Sequence, residues 1–409
     1  MSGKATLLLI VGFSLLFLIV SRNFGDVSNR AVDNFINYHK ETVAHDIAVS
    51  GANVAANQIF MDPTWDDGYD DVPFQNGTMD ISVQILDPYK NIRQITAQGT
   101  YQGYTHTAKV TLAPSKFSKF AYYSVSEGGT IWWNGTDTVW GPFHTQDFMR
   151  VANHPVFYGK ATTKRSMIYY KNEATDKPYF FGGYEQGVNL PMPTNAVDEM
   201  ETIADDDGFK LSGHDTVYMT FDRDSLRFKY SYNAKYTAVY LPAAAPNGLI
   251  FAKDCVVRLK GVVKGQYTLG CSSTISAGKG TIYLDDDIVF DKDPRIYPNS
   301  NDLLGICAEN SVYITDNVPN RTDINIHGSI YCEKGGFGAQ NYDTRVKSGN
   351  INLLGGIIQN TRRAVGTFGS DGKIKTGFAK RYKYDDRLMV ASPPFFPGTG
   401  GFEIVSWYE

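Results

Sequence analysis

An uncharged apolar run near the N-terminus constrains this chain more than any other feature of its sequence. Between Lys4 and Arg22 lie seventeen residues without a charge, ATLLLIVGFSLLFLIVS. Seventeen residues is close to the shortest helix that spans the hydrocarbon core of a bilayer. A cleavable secretory signal would end in a small-x-small site, whereas this run passes directly into Arg22, Asn23 and Phe24. The pattern therefore predicts an apolar helix that continues into the next part of the chain.

The helical pattern extends far beyond the uncharged run. Apolar residues recur every three or four positions, which is typical of one helix face: Val27, Ala31, Val32, Phe35, Ile36, Val43, Ile47, Ala48, Ala52, Ala55, Ala56, Ile59 and Phe60. No proline interrupts the pattern before Pro63. We predict one helix over Lys4–Phe60, about 85 Å long at about 1.5 Å per residue. Its second part is poor in charge and rich in alanine, which favours packing on a sheet over a coiled-coil stalk.

Three alternating runs after the helix predict a small antiparallel sheet. They are Ile81–Leu86, Ile92–Tyr101 and His106–Ala113, separated by turn residues and closed by Pro114. We expect residues 61–116 to form a meander that packs on the amphipathic part of the helix.

The remainder of the chain, residues 117–409, has the composition of short strands and tight turns. The chain holds 39 glycines, 26 tyrosines and 24 phenylalanines, residues that turns and strands favour. Short β-rich runs recur at Gly248–Phe251, Val256–Leu259, Gln266–Leu269, Ser273–Ile275, Thr281–Leu284, Leu303–Cys307, Ser311–Ile314, Asp323–Tyr331 and Asn350–Ile358. Stacked coils of a parallel β-solenoid fit this spacing, with a β-sandwich as the alternative and a short helical insertion near residues 195–207. The predicted fold class is mainly β with one long N-terminal α-helix.

Motifs for catalysis or cofactor binding are lacking in the sequence. There is no nucleophile elbow, zinc-protease helix or dinucleotide loop, and a net charge of -4 argues against nucleic acid as a partner. Two acidic turns carry the oxygen ligands that calcium prefers, but solvated turns of an acidic protein are the favoured explanation. The turns contain Asp62, Asp66, Asp67, Asp70 and Asp71 in one, and Asp285, Asp286, Asp287, Asp291 and Asp293 in the other. We expect no enzyme activity, no cofactor and no metal.

Four cysteines fall late in the chain, at Cys255, Cys271, Cys307 and Cys332. The interval from Cys255 to Cys271 and the interval from Cys307 to Cys332 are both close to the length of one solenoid coil, which takes about 20–30 residues. Neighbouring coils lie about 4.8 Å apart, which is compatible with the Cα separation in a disulfide. If bridges form, we expect Cys255 to pair with Cys271 and Cys307 with Cys332. Four buried free thiols are the alternative.

The N-terminal segment SGKATLLLIVGFSLLFLIV, followed by an amphipathic helical half, resembles the N-terminus of type IV pilin-like proteins, especially minor pilins and pseudopilins. Further segments resemble a family of bacterial pilus-assembly-like proteins in which this N-terminus is fused to a β-solenoid. They are GPFHTQDFMRVANHPVFYGKATT at Gly141–Thr163, the LP pair before the short helix, GLIFAKDCVVRLKG, and YDDRLMVASPPFFP at Tyr384–Pro397.

The resemblance implies roles for residues of the N-terminal helix. A leader peptidase would cut after Gly3 and leave Lys4 first, although Ser2 stands where a basic residue is usual. The filament core would comprise Leu7, Leu8, Leu9, Ile10, Val11, Gly12, Phe13, Leu15, Leu16, Phe17, Leu18, Ile19 and Val20, with Gly12 and Ser14 permitting close helix approach. Most major pilins have glutamate at the fifth mature position, where this chain has Leu8. That departure suggests a minor, tip-type subunit or a different solution to subunit registry.

The favoured hypothesis is a structural subunit of a type IV pilus-like filament, with the solenoid displayed outward. Its expected partners are copies of itself, other pilins and the inner-membrane assembly machinery, with surface or cell ligands in addition. Its expected location is the inner membrane before assembly and the cell surface afterwards. A tip adhesin or priming minor pilin is the first alternative, and a membrane-anchored β-helix enzyme acting on polysaccharides is the second.

Overall fold

The computed structural model describes residues 2–87, 91–135, 137–275, 278–369 and 374–409. These residues fall into two compact units. The first runs up to Ser115 and includes Gly401–Glu409, and the second is Lys116–Gly400. The chain is mainly β with a long apolar N-terminal helix, which confirms the predicted fold class.

The first unit consists of the long helix and a sheet. Its leading elements are α1 (Ser2–Met61), β1 (Tyr69–Phe74), β2 (Gly77–Asp87), β3 (Ile92–Tyr101) and β4 (Tyr104–Lys116). The strands lie in that order and pair antiparallel with their neighbours, as a meander requires. Strand β1 escaped prediction because its sequence, YDDVPF, combines two aspartates and a proline, all of which are rare in strands.

The C-terminal half of α1 packs closely on this sheet. Its buried face is built largely from alanine, including Ala44, Ala48 and Ala52, and meets Ile95 and other apolar residues of β2–β4. Small side chains allow the helix axis to approach the strands. The approach is closest at Gly99 of β3, where a Cβ atom would lie 2.2 Å from the Ala44 carbonyl oxygen. Only glycine fits there, so this contact fixes the helix on the sheet.

The second unit is built from many short strands. Its first segment contains β5 (Tyr122–Ser126), β6 (Trp133–Asn134), β7 (Thr138–Trp140), β8 (Phe143–Thr145), β9 (Met149–Ala152), β10 (Val156–Phe157), β11 (Ala161–Thr163), β12 (Met167–Tyr169), α2 (Glu173–Asp176), β13 (Tyr179–Phe180) and β14 (Tyr184–Gln186). Its middle segment contains α3 (Ala196–Asp207), β15 (Phe209–Leu211), β16 (Thr216–Arg223), β17 (Ser225–Lys229), β18 (Thr237–Tyr240) and α4 (Leu241–Ala244). Its last segment contains β19 (Leu249–Lys253), β20 (Val256–Val263), β21 (Gln266–Ser272), β22 (Thr281–Phe290), β23 (Leu303–Ala308), β24 (Val312–Ile314), β25 (Ile324–Cys332), β26 (Phe337–Ala339), β27 (Lys347–Thr361), β28 (Gly366–Phe368) and β29 (Ile374–Lys383).

Strands of successive coils pair in parallel, as expected of a solenoid. Strand β19 pairs with β21, β21 with β23, β23 with β25, and β25 with β27, all in parallel. Most predicted strands of this region are present. The run Ser273–Ile275 is an exception, because its backbone N–H groups bond to side chains: Ser273 donates to Glu309 and Thr274 to Asp254.

The order of coils in this stack differs from their order in the chain. Strand β27 pairs with β25 on one side and with the much earlier strand β5 on the other. From β5 the stack continues through β8 and β11 to β14. The opposite end begins at β15, which pairs with β19. The chain therefore starts in the middle of the stack, builds one half outward, and crosses to the far end to build the other half inward.

Residues 187–208 make this crossing and include the predicted helical insertion, α3. The Tyr123 hydroxyl donates to the Leu190 carbonyl oxygen at 2.7 Å. The buried Glu333 carboxylate then accepts from the backbone N–H groups of Asn195 at 2.8 Å and Val197 at 2.9 Å. Because these are unpaired donors at a helix start, Glu333 supplies the cap in place of the N-cap residue Asn195, whose side chain forms no capping hydrogen bond.

The last strand, β30 (Gly398–Tyr408), joins the sheet of the first unit beside β4. Residues 401–409 therefore lie outside the solenoid domain, whose predicted range of 117–409 included them. Strand addition explains their actual position: β4 offers an open edge, and a C-terminal strand pairs with that edge however far away it lies in sequence.

Replacing Glu333 tests the role of the crossing segment. In Glu333→Ala the two N–H groups lose their acceptors, so we expect a loss of about 1–3 kcal/mol in the free energy of unfolding. Glu333→Gln keeps one acceptor oxygen and should cost less. Glu199→Ala, an exposed change on the same helix, should stay within about 0.5 kcal/mol of wild type. Urea unfolding of the full chain in detergent measures all three, and wild-type stability of Glu333→Ala would contradict the capping role.

Candidate assembly helix

The N-terminal part of α1 has no covering within the chain. Residues 3–39, called here the free helix segment, are all exposed, and the first fully buried residue is Ala44. At about 1.5 Å per residue the free helix segment is about 55 Å long.

Every apolar side chain of the predicted filament core lies on this segment and is exposed. Leu8 and Phe17, for example, expose 74% and 71% of their surfaces. The most apolar 18-residue stretch of α1 has a mean hydropathy of 2.3, and none of its residues is buried. Within the described residues, α1 is the helix that is long and apolar enough to cross a membrane. An aqueous environment would be strongly unfavourable for this surface, since burying one Leu or Phe side chain contributes about 1.5–3 kcal/mol.

An apolar stripe continues beyond the uncharged run. Phe24, Val27 and Phe35 are 71%, 63% and 72% exposed, and their spacing places them close to one helix face. The sequence predicted that the amphipathic part of the helix packs on the meander from Val27 onward. That starting point is wrong, because the residues of α1 that pack on the sheet begin near Val43. Periodicity alone could not give this boundary, because a stripe that binds another molecule has the same spacing as one that binds its own sheet.

The predicted processing site lies in the first turn of α1. Gly3 has no atom within 4 Å of the position a Cβ would occupy, so it is not held by packing. Leu8, one turn later, places hydrocarbon where an acidic residue is usual in the resembled family. Cleavage after Gly3 remains a prediction.

A polar cluster anchors α1 at the edge of its packed region. His45 Nε2 lies 3.0 Å from Glu409 Oε2, and the indole N–H of Trp407 donates to the same carboxylate. The hydrogen bond to Glu409 raises the pKa of His45 above its ordinary value of 6.5 and lowers the pKa of Glu409. Sequence reasoning missed this pair because 364 positions separate its members.

The four cysteines are buried free thiols in the structure. Cys307 aligns with Tyr331 on the next coil, and Cys332 aligns with Ala308. Since side chains alternate between strand faces, Cys307 and Cys332 point to opposite sides, which corrects the predicted bridge between them. Cys271 donates to the Cys255 carbonyl oxygen at 3.6 Å, so these two lie close and their pairing stays a prediction. Burial raises the pKa of Cys332 to about 12, which makes its thiol inert.

The acidic turns do not converge on a common point. Among the residues that the structure describes, no group of three or more His, Cys, Asp or Glu side chains is arranged to hold a metal ion. Asp62 accepts from the N–H and hydroxyl of Thr64 and closes the turn after α1, while Asp66, Asp67 and Asp70 stand in the same loop and strand start. In the second cluster Asp285 pairs with Arg258 and Asp293 with Arg295.

The first unit therefore packs the C-terminal half of one long helix on an antiparallel meander. Comparison with protein-family models and with curated proteins gives no match. Among solved structures, the chain is similar to the competence-associated pilin ComZ from Thermus thermophilus. The two share 12% sequence identity with a TM-score of 0.37, over 90% of this chain and 97% of that one.

The His45–Glu409 pair gives a pH-dependent prediction. Because the pKa of His45 is raised on folding, its contribution to stability is complete below its unfolded pKa and is lost as the pH rises through the folded value. Glu409 adds the opposite limit, since its contribution is lost as the pH falls through its lowered pKa. We expect Glu409→Gln to move the NMR titration midpoint of His45 down toward 6.5, with Asp33→Asn as the unaffected control. An unchanged midpoint in Glu409→Gln would exclude the contact.

Proposed function

We propose that this chain is a structural, non-catalytic subunit of a pilin-like extracellular filament and that it assembles through the free helix segment. The observation that carries the proposal is the length of that segment. The hydrocarbon core of a bilayer is about 30 Å thick and holds about 20 helical residues. The free helix segment is about 55 Å long, and apolar side chains occupy both its lipid-length part and the part beyond.

A bilayer alone therefore leaves Phe24, Val27 and Phe35 in contact with water. A second copy of the same helix offers a matching stripe of similar length. Helices packed side by side would cover both parts of the segment at once, with Gly12 and Ser14 as points of close approach. Before assembly the uncharged run would lie in the inner membrane, where the assembly machinery and other pilins are the expected partners.

The residue at position 8 favours a minor, tip-type subunit as a second candidate role. In the resembled family an acidic side chain near this position neutralises the N-terminal amine of a neighbouring subunit. Leu8 is uncharged and 74% exposed, so it has no means of doing so. A subunit that primes assembly or sits at the tip meets fewer such neighbours than one within the shaft.

Charge substitutions in the segment test the filament. Leu8→Lys or Leu16→Lys would place an unpaired ammonium in an apolar interface, which is strongly unfavourable, so we expect either change to abolish filaments in cells. Leu8→Ile and Leu16→Ile keep the apolar surface and should assemble normally. Negative-stain electron microscopy counts filaments, and protease resistance of the second unit shows that the rest of the subunit is folded. Wild-type numbers of filaments in either lysine variant would refute the assignment.

Processing gives a separate prediction. We expect assembled subunits to begin at Lys4, because a leader peptidase of the resembled family cuts after glycine. Mass spectrometry of the mature N-terminus measures this directly, and Gly3→Leu should block the cut. Recovery of assembled protein that still carries Ser2 would refute the processing step and leave the filament proposal standing.

A further inference from the structure

The second unit contains a cavity of about 1150 Å³, larger than the upper range of about 1,000 Å³ for pockets that hold small molecules. Its walls come from coils that are distant in sequence, including the segments around Trp132, Tyr313 and Arg363. None of the motifs in the sequence pointed to it, because its residues meet only when β5 stacks on β27.

Aromatic side chains form two ring pairs in the cavity wall. Tyr283 and Tyr313 occupy matching positions on adjacent coils, and their rings stack with centroids 5.7 Å apart. Trp132 and Tyr170 form an edge-to-face pair with centroids 5.2 Å apart. The rings of Tyr283 and Tyr313 cover each other on one side and are covered by the guanidinium groups of Arg258 and Arg363 on the other, so they present their edges to the cavity. Tyr170 is 62% exposed and offers its ring to a ligand.

The inner wall is polar and rigidly held. Glu127, which is fully buried, accepts from Trp133 Nε1 at 3.0 Å and from Arg362 Nη1 at 2.8 Å. Lys380 Nζ lies 3.3 Å from the buried Asp137 carboxylate. Arg362 lines the cavity with only 5% of its surface exposed, and its Nη2 has no hydrogen-bond partner among the described residues. A buried guanidinium with an unused donor is strongly unfavourable unless a ligand or water completes it.

Arg363 supplies the charge of the outer wall. It lies over Tyr313 with its guanidinium carbon 5.6 Å from the ring centroid. Gly338 aligns with Tyr313 on the next coil and leaves room for the Arg363 side chain. A Cβ atom at Gly338 would come within 2.9 Å of Arg363 Cβ. Within the described lining, Arg362 and Lys380 are neutralised by Glu127 and Asp137, whereas Arg363 forms no ion pair. The described lining therefore carries one uncompensated positive charge beside the tyrosine pair.

We propose that this cavity binds an acidic saccharide. The C–H faces of a sugar ring carry partial positive charge and suit the negative ring face of the exposed Tyr170. A guanidinium matches a carboxylate in two parallel hydrogen bonds, which fits Arg363 to an acidic sugar. Single-stranded nucleic acid also stacks on aromatic rings, but it requires a basic groove that tracks many phosphates, and one surplus charge in a chain of net charge -4 does not provide this. The proposal does not rest on filament assembly.

Calorimetric titration of the full chain tests the site. The protein is kept in lauryldimethylamine oxide, whose headgroup contains no sugar. The acidic probes are trigalacturonate, a hyaluronan tetrasaccharide and sialyllactose, with maltotriose as the neutral probe and a dT10 oligonucleotide as the competing class. We expect saturable binding of at least one acidic probe and about tenfold weaker binding of maltotriose, the equivalent of one lost charged contact.

Two variants with matched controls locate the binding. Tyr170→Ala and Arg363→Gln should each weaken the acidic probe by about tenfold or more, Tyr170→Phe should retain most affinity, and Arg363→Gln should also remove the preference over maltotriose. Tyr297→Ala and Arg321→Gln, which lie outside the cavity, should bind as wild type does. Arg363 is exposed, so its variant tests the proposal even if Tyr170→Ala unfolds. The proposal is overturned if none of the acidic probes binds, if Arg363→Gln binds unchanged, or if dT10 binds more tightly than all of them.

Discussion

The mismatch between an apolar helix of about 55 Å and a hydrocarbon core of about 30 Å governs the interpretation of the first unit. A bilayer can cover the uncharged run, but Phe24, Val27 and Phe35 lie beyond it and are exposed within the chain. Such a stripe is stable only when another surface covers it. Because lipid and a neighbouring helix are both apolar, a subunit can exchange one for the other without exposing the run to water. This exchange is what the proposed function requires of the segment, first as a membrane anchor and then as a filament core.

The helix must also be held firmly where it leaves the sheet. The alanine face of α1 and Gly99 of β3 bring backbone against backbone, which leaves little freedom for the helix to roll or slide. Strand β30 extends the same sheet, and Glu409 ties it to His45 on the helix. The second unit has a comparable device, since Glu333 fixes the segment that crosses between the two ends of the coil stack.

Local patterns were enough to predict the helix, the meander and most strands between residues 248 and 358. Each of these depends on spacing within a short window, and the structure agrees with the spacing. Long-range choices were not predictable in this way. The stacking of β5 on β27, the return of β30 to the first sheet and the contact of His45 with Glu409 all join residues more than 200 positions apart. The predicted pairing of Cys307 with Cys332 failed by one residue, because a shift of one along a strand reverses the face to which a side chain points.

The two candidate sites, the free helix segment and the aromatic cavity, also differ in how far the sequence could predict them. The exposed residues of α1 were identified from the uncharged run, yet the extent of the uncovered stripe was not, since Val27 and Val43 carry the same helical spacing. The aromatic cavity gave no signal at all. Tyr283, Tyr313 and Arg363 are separated by turns and coils, and only the parallel register aligns them.

The proposed filament requires copies of this chain to cover one another along the free helix segment beyond the membrane. Site-specific photocrosslinking in cells tests this most directly, with a benzophenone amino acid placed at Phe35 and, as a control, at the exposed Tyr232 of the second unit. If the helices assemble as proposed, crosslinks from position 35 join two copies of the chain and disappear when Leu16→Lys is added. Crosslinks from position 35 that never contain a second copy would contradict it.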